Sequence, residues 1–478
     1  MAHQKNSDLR YPEIDEFDDR VRPQIQGMIE AEKRVLLARK RQLEQCDCRD
    51  GMFLNAGADR RSFLMAAAAV TASGAIWPDT AAADAPAGSI EFEVPDDPTK
   101  IPGRLIGDDG GYGSRSQFES EVRWRYPTAT RESSWAMTPL DSGHGVVTPS
   151  GLHFERHHGG IPVIDPNRHN LLVHGMCARP KKYSMADLRR FPSVSRLHFI
   201  ECSGNSFTEF KKPVLKTVQG THGLTSTSEW TGVPLSTILE EVGVEDGAAW
   251  ILAEGSDAAV MTRSVPIGKA WDDALLVYAQ NGEAIRPEQG YPLRLFLPGF
   301  EGSTHIKWLR RLEISDKPFM TREETSKYTD VLDGGKARHF TFAMEAKSVI
   351  TFPSGEMKLP GPGFYEITGL AWSGRGRVKQ VEVTADGGKT WSVAALETPV
   401  LPVCHTRFRF PWIWDGGPAL LASRCMDETG YLQPTPDQLN QVRGLNGDVN
   451  FASIYHMNGI MAWAVADDGS VSNAIHQV

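Results

Sequence analysis

Between residues 151 and 318 short apolar runs alternate with short amphipathic stretches. Leu171–Val173, Leu197–Ile200, Leu275–Tyr278 and Leu293–Leu297 read as strands, and Ser184–Arg190 and Pro234–Val242 as helices. The mixture predicts an α+β domain with a mixed sheet rather than repeated βαβ units. From about residue 341 the texture changes. Phe364–Trp372, Val378–Ala385, Thr390–Ala395, Thr406–Trp414 and Ala419–Met426 are strand-like runs at short spacing, and Gly387-Gly388 supplies a hairpin turn. This predicts an all-β sandwich of immunoglobulin-like size. Residues Lys317 to Phe340, polar and charged, read as a linker. Residues 86–150, rich in Gly, Pro, Ser and Asp, read as a loop-dominated wrap over a domain surface.

The first part of the chain has a different logic. Asp59-Arg60-Arg61-Ser62-Phe63-Leu64 precedes a short apolar stretch, Met65 to Trp77, and then the small residues Ala81 to Ala85. Paired arginines, apolar run and small residues in that order predict a twin-arginine export signal cut near Ala83 to Ala87, and hence a periplasmic protein. That route carries folded proteins and suits one whose cofactor is inserted before export. Residues 22–44 read as a charged helix. The expected division is an N-terminal extension (1–58), the signal (59–87), a first domain with its linker (88–340) and the sandwich (341–478).

Composition narrows the function. A net charge of −9 offers no basic face for nucleic acid, and no apolar run approaches a membrane span. Cysteines stand at 46, 48, 177, 202, 404 and 425. None forms a CxxC metal signature, and CxxCH is missing, so no c-type haem is expected on this chain. Cys404 and Cys425 lie on neighbouring strand-like runs and are candidates for a disulfide. Cys202, at the end of a strand-like stretch and the start of a Ser-Gly-Asn turn, is either a buried apolar thiol or a metal ligand.

Several separated stretches resemble the sulfite oxidase family of molybdopterin enzymes. They are Phe154-Glu155-Arg156-His157-His158, Cys202-Ser203-Gly204-Asn205, Trp230 to Leu235 (WTGVPL), Gly290-Tyr291-Pro292-Leu293-Arg294, Pro298-Gly299 and His305-Ile306-Lys307-Trp308. In the last domain Ala371 to Gly376 (AWSGRG), Asp386 to Trp391 (DGGKTW) and Trp412-Ile413-Trp414 resemble that family's dimerisation domain. The resemblance implies a molybdopterin-binding catalytic domain followed by an immunoglobulin-like domain through which the chain forms a homodimer. It implies that Cys202 is the single protein thiolate on molybdenum, the other sulfur ligands coming from the pterin; a soft ligand suits such a centre. Phe154, Arg156, His157, His158, Asp257, Gln289, Arg294, His305 and Lys307 would line the cofactor. Gln289 stands where the family commonly has histidine. Arg156 would also hold an anionic substrate. His305 and Lys307, alternating along a strand-like run, would share one face and meet the pterin phosphate with Arg294.

Two departures bear on the substrate. Ser206 and Phe207 stand where sulfite oxidases carry arginines. The family's catalytic tyrosine falls at Glu324 or Tyr328 by spacing. Within the family these features resemble most the molybdenum subunits of sulfur-oxidation complexes. Such a likeness implies a sulfane sulfur borne on a carrier-protein cysteine as substrate, a c-type cytochrome partner as electron acceptor, and Phe207 in the wall of a substrate channel. The alternatives are a periplasmic sulfite dehydrogenase and, outside enzymes, a non-catalytic exported binding protein with Cys202 in a disulfide.

Overall fold

The structure is a computed structural model that describes residues 9–10, 113–331, 336–443 and 456–478. The export signal, the extension helix and Cys46 and Cys48 lie outside the described residues. From Glu121 onward the chain belongs to one compact unit, in which both regions expected from the sequence pack together.

The first region holds two main sheets. One is five-stranded, in the order Thr262–Pro266, Trp250–Gly255, Leu309–Ser315, Asn170–Gly175, Lys181–Ser184, and its only parallel pair is Leu309–Ser315 with Asn170–Gly175. The other is antiparallel and runs Glu283–Ala284, Leu275–Gln280, Thr225–Pro234, Val194–Glu201, with Arg294–Phe296 paired to Leu275–Gln280. The mixed sheet expected from the pattern is the first of these. The helix Leu235–Val242 shows why local sequence sufficed here. It buries Leu235, Ile238, Leu239 and Val242, one stripe at helical spacing, and ends at Gly243 in the left-handed region. Ser184 and Asp187 form a reciprocal capping box that starts Met185–Leu188.

The stretch read as a linker is structured. It contains the helix Arg322–Ser326 and a strand pair, Thr329–Val331 with Ala337–His339. The wrap at 113–150 is mostly loop, but Arg123–Arg125 and Ser134–Met137 join Glu155–His157 in a small sheet.

The sandwich has one sheet of Lys347–Phe352, Gly363–Trp372, Thr406–Trp414 and Ala395–Leu396, and a second of Ser392–Val393, Val378–Thr384, Ala419–Asp427, Ala462–Val465 and Val471–Asn473. The helix Pro436–Arg443 and the last two strands carry no signal recognised in the sequence. Cys404 and Cys425 are both free and buried. Cys404 lies against Thr227 of the first region, while Cys425 sits inside the second sheet beside Gln433. The thiols are not brought together: Cys404 lies in the bend before Thr406–Trp414, Cys425 on Ala419–Asp427, and those two strands belong to different sheets.

Strand periodicity joins the two regions. Successive side chains of Val194–Glu201 face opposite sides. Phe199 belongs to the sandwich core and stacks on His405, whereas Ile200 belongs to the core beneath the cleft. The largest apolar core therefore runs from this strand into the sandwich.

Candidate active site

A cleft of about 650 Å³ gathers side chains from six separate stretches of the first region. Phe154, Arg156, His157, His158, Cys202, Asp257, Gln289, Arg294, His305, Lys307 and Tyr328 all line it, so the predicted metal-ligand and cofactor-lining residues are brought together, while Phe207 and Glu324 are not among them. Glu155, Ile200, Met261, Gly302, Ser303 and Trp308 line it as well.

The alternation that sends Phe199 and Glu201 to the sandwich turns Ile200 and Cys202 toward the cleft. Cys202 is partly exposed there, and its N–H donates to the Leu224 carbonyl at 2.9 Å. Burial pushes its thiol up, and Arg156 opposes that shift. Gly302 packs against the loop so closely that a Cβ would stand 2.7 Å from the Glu201 oxygen. Only glycine permits that approach.

His305 and Lys307 reach the cleft by a different route from the one expected. Residues 305–308 are a bend rather than a strand, so pleat alternation does not set their faces, yet both side chains line the cleft as expected. The His305 ring points inward, with Nε2 3.1 Å from the Phe300 carbonyl, and burial holds it neutral, well below the ordinary histidine range. Lys307 Nζ donates to the carbonyls of Arg156 at 2.9 Å and Glu288 at 3.0 Å, and to His157 Nδ1 at 2.9 Å. That donation fixes the tautomer: His157 Nε2 carries the proton and donates to Glu155 at 2.7 Å. Burial, reinforced by Lys307, pulls His157 down to about 4, so the ring is neutral near pH 7.

Arg294 is buried and donates to the Gln289 carbonyl and side-chain oxygen, each at 3.1 Å. Its Nε has no partner, and no carboxylate among the described residues bonds it. Burial alone pulls its guanidinium down to about 9. Burial, then Arg294, pulls Lys307 down to about 7. Among the described residues neither cation bonds a carboxylate directly, although Glu155 and Asp257 lie near enough to Lys307 to favour its charge, and Arg294 keeps an orphaned N–H; the pair is the complement of a bound phosphate.

Tyr328, not Glu324, is the side chain at the tyrosine position that reaches the cleft. Glu324 is spent on a capping box with Thr321, and its carboxylate also accepts from Ser264 Oγ at 3.1 Å. A Thr-x-x-Glu pattern was the available sequence signal. The Tyr328 phenol, raised by burial and then by nearby Cys202, stays protonated, and its ring lies 4.8 Å from the Arg263 guanidinium. Arg156 lies 5.1 Å from the Trp135 ring centre.

The loop after Cys202 differs from expectation. Phe207 does not line the cleft; it packs against the sandwich core and meets Phe210 edge-on at 6.2 Å. Ser206 is buried at φ 65° and accepts from Lys347. The left-handed turn at Ser206 rotates the following side chain away from the pocket.

Two packed regions, a thiol at a strand end and a floor of cations without carboxylate partners among the described residues define a binding site for an anionic ligand. Residues 158–323 match the family described as oxidoreductase molybdopterin binding domain, and residues 338–458 match the Mo-co oxidoreductase dimerisation domain. A crystal structure of the sulfane dehydrogenase SoxCD from Paracoccus pantotrophus is 42% identical, with a TM-score of 0.75, covering 80% of this chain and 97% of that one. NADH nitrate reductases of Solanum lycopersicum and Arabidopsis thaliana are each 32% identical over 57% of this chain and 33% of their own. The chain thus spans about a third of those curated relatives. It belongs to the sulfite oxidase family of molybdopterin oxidoreductases, and its cofactor is molybdopterin carrying molybdenum.

Proposed function

We propose that this chain oxidises a sulfane sulfur carried on a cysteine of a partner protein and passes the electrons to a c-type cytochrome. The observation that carries the reading is the 42% identity to a sulfane dehydrogenase along 97% of that chain. Bound, the molybdenum cofactor supplies a two-electron centre that transfers oxygen to sulfur. Cys202 would be its protein ligand, with Arg294, Lys307 and Gln289 holding its anionic end. Arg156 would orient an anionic sulfur group, and the protonated Tyr328 phenol would donate a hydrogen bond to it. Besides Arg156, the only arginine lining the cleft among the described residues is Arg294. The Ser206-Phe207 segment contributes no cation there, and a small dianion such as free sulfite finds few fixed charges to replace its water.

The sandwich pairs the chain with a second copy. Phe364 and Ile413 are cross-strand partners, 68% and 79% exposed, an apolar pair suited to burial between subunits. Residues 59–87 would direct export to the periplasm by the twin-arginine route.

The test compares turnover on free sulfite with turnover on a thiosulfate-loaded carrier protein, using a cytochrome acceptor. Fast turnover of the loaded carrier and slow turnover of sulfite are expected. Efficient use of free sulfite with the carrier ignored would replace this reading with a sulfite dehydrogenase. Cys202→Ser should abolish turnover and leave the fold intact.

A further inference from the structure

Cys202 is flanked in the chain by two residues, each tied to a buried ion pair. Glu201 is itself the carboxylate of the first. Its Oε1 accepts from Lys347 Nζ at 2.9 Å, with both side chains sealed from solvent. Its Oε2 accepts from Trp372 Nε1 at 2.7 Å. On the other side Ser203 Oγ donates to Glu301 Oε2 at 2.6 Å, and Glu301 Oε1 pairs with Arg263 at 2.7 Å. Lys347 also donates along the loop, to Ser206 Oγ at 3.1 Å and the Asn205 carbonyl at 3.5 Å.

Lys347 and Trp372 lie on two paired strands of the sandwich, directly opposite each other in register. Their targets are the residue before the cysteine and the turn after it. A buried ion pair does not in itself make a core more stable than apolar residues of the same volume. It does supply direction, since each hydrogen bond holds only at one distance and angle. A strand end packed only by apolar contacts would lack that constraint, and a misplaced ligand is costly to a site whose geometry must be held within a fraction of an ångström.

We infer that Lys347 and Trp372 are positioning residues for the Cys202 sulfur, so that the C-terminal sandwich completes the cofactor site as well as offering a surface between subunits. The inference rests on Cys202 being the thiolate of the site; it does not depend on which sulfur compound is oxidised.

The experiment uses the full chain in two variants. Trp372→Phe deletes one N–H donor and keeps an aromatic ring in place. The double variant Lys347→Met, Glu201→Gln removes both charges at similar volume. In cofactor-free protein the rate of Cys202 alkylation by iodoacetamide is followed by peptide mass spectrometry. The buried free thiols Cys177, Cys404 and Cys425 serve as internal controls. Cofactor-loaded protein is compared by the paramagnetic resonance of its molybdenum(V) form.

Loss of a positioning hydrogen bond should accelerate Cys202 alkylation roughly three- to tenfold. The other three thiols should stay unchanged, and the resonance should shift or broaden. Wild-type alkylation with a wild-type spectrum in a folded variant would overturn the inference. So would a parallel acceleration of all four thiols, which would mark general loosening. If the double variant does not fold, Trp372→Phe decides alone by the same criteria. A failure of the ligand assignment reads differently: Cys202→Ser would then keep molybdenum and turnover, whatever the alkylation rates.

Discussion

The wall behind Cys202 and the floor of the cleft each hold two enclosed cations, and the two regions treat them in opposite ways. In the wall, Arg263 faces Glu301 and Glu324, and Lys347 faces Glu201. On the floor, among the described residues, Arg294 hydrogen-bonds only Gln289, and Lys307 bonds two carbonyls and a neutral imidazole. The consequence shows in the two arginines. Burial would lower both, but Glu301 raises Arg263 above its ordinary value, whereas Arg294 falls to about 9 with nothing to oppose desolvation. The wall is electrostatically complete without a ligand. The floor becomes complete only when an anion arrives, so its strain is part of the binding energy held in reserve.

The largest effect should come from unpairing the wall. Glu301→Leu leaves Arg263 sealed from solvent without its main partner and should cost about 3–5 kcal/mol in denaturant unfolding of the cofactor-free protein. The compensated change Glu301→Leu with Arg263→Met should recover most of that loss. A cost below about 1 kcal/mol would mean that the wall and floor cations do not differ in kind.

The floor should respond with the opposite sign. Arg294→Met removes a cation already unpaired, so the cofactor-free protein should unfold at the same or higher denaturant concentration. Retention of the cofactor should fall roughly ten- to a hundredfold, the worth of one charge-assisted hydrogen bond. Molybdenum content after gel filtration reads this directly. Full retention would remove Arg294 from the cofactor's contacts.

Legibility in the sequence follows the same division. Floor residues sit in short motifs whose neighbours in the chain are neighbours in space, such as Phe154 to His158 and Gly290 to Arg294, and these were readable. The wall was not. Glu201 and Lys347 lie 146 residues apart, and no local pattern links them. Separate domains were inferred from texture, yet Phe199 and Glu201 of the first region are packed by the second. Strand identity survived the passage from sequence to structure because alternation is local. The direction of Phe207 did not, because the positive-φ residue just before it, Ser206, resets direction without changing composition. Glu324 was the avoidable ambiguity, since its capping box was written in the chain.

Between wall and floor stand the two candidates for the tyrosine position, and they should separate by readout. Tyr328→Phe keeps the ring over Arg263 and deletes the hydroxyl. It should lower kcat/KM about tenfold with little change in stability, in keeping with loss of one hydrogen bond to reacting groups. Glu324→Gln weakens the helix cap and the Arg263 pair, and should cost about 1–2 kcal/mol in unfolding while kcat/KM of the folded enzyme changes little. The reverse pattern would move the role to Glu324.

The smallest effect is a pH dependence that belongs to the floor alone. Burial and then Arg294 hold Lys307 at about 7 in the folded protein, against an ordinary 10.5. Because the folded value is the lower one, the unfolded chain binds more protons between the two. Stability therefore rises with pH across that window, and the full penalty is present below about 7. Binding an anion should reverse the preference and recharge Lys307. Cofactor binding near pH 8 should then take up a fraction of a proton and weaken as pH rises. The difference in thermal midpoint between the wild type and Lys307→Met, scanned from about pH 6 to 10 in cofactor-free protein, isolates this contribution from other titrating groups. The wild type should gain on the variant as pH rises, by no more than one proton's worth of slope. A flat difference would show Lys307 fully charged throughout, and would place it with the satisfied cations of the wall.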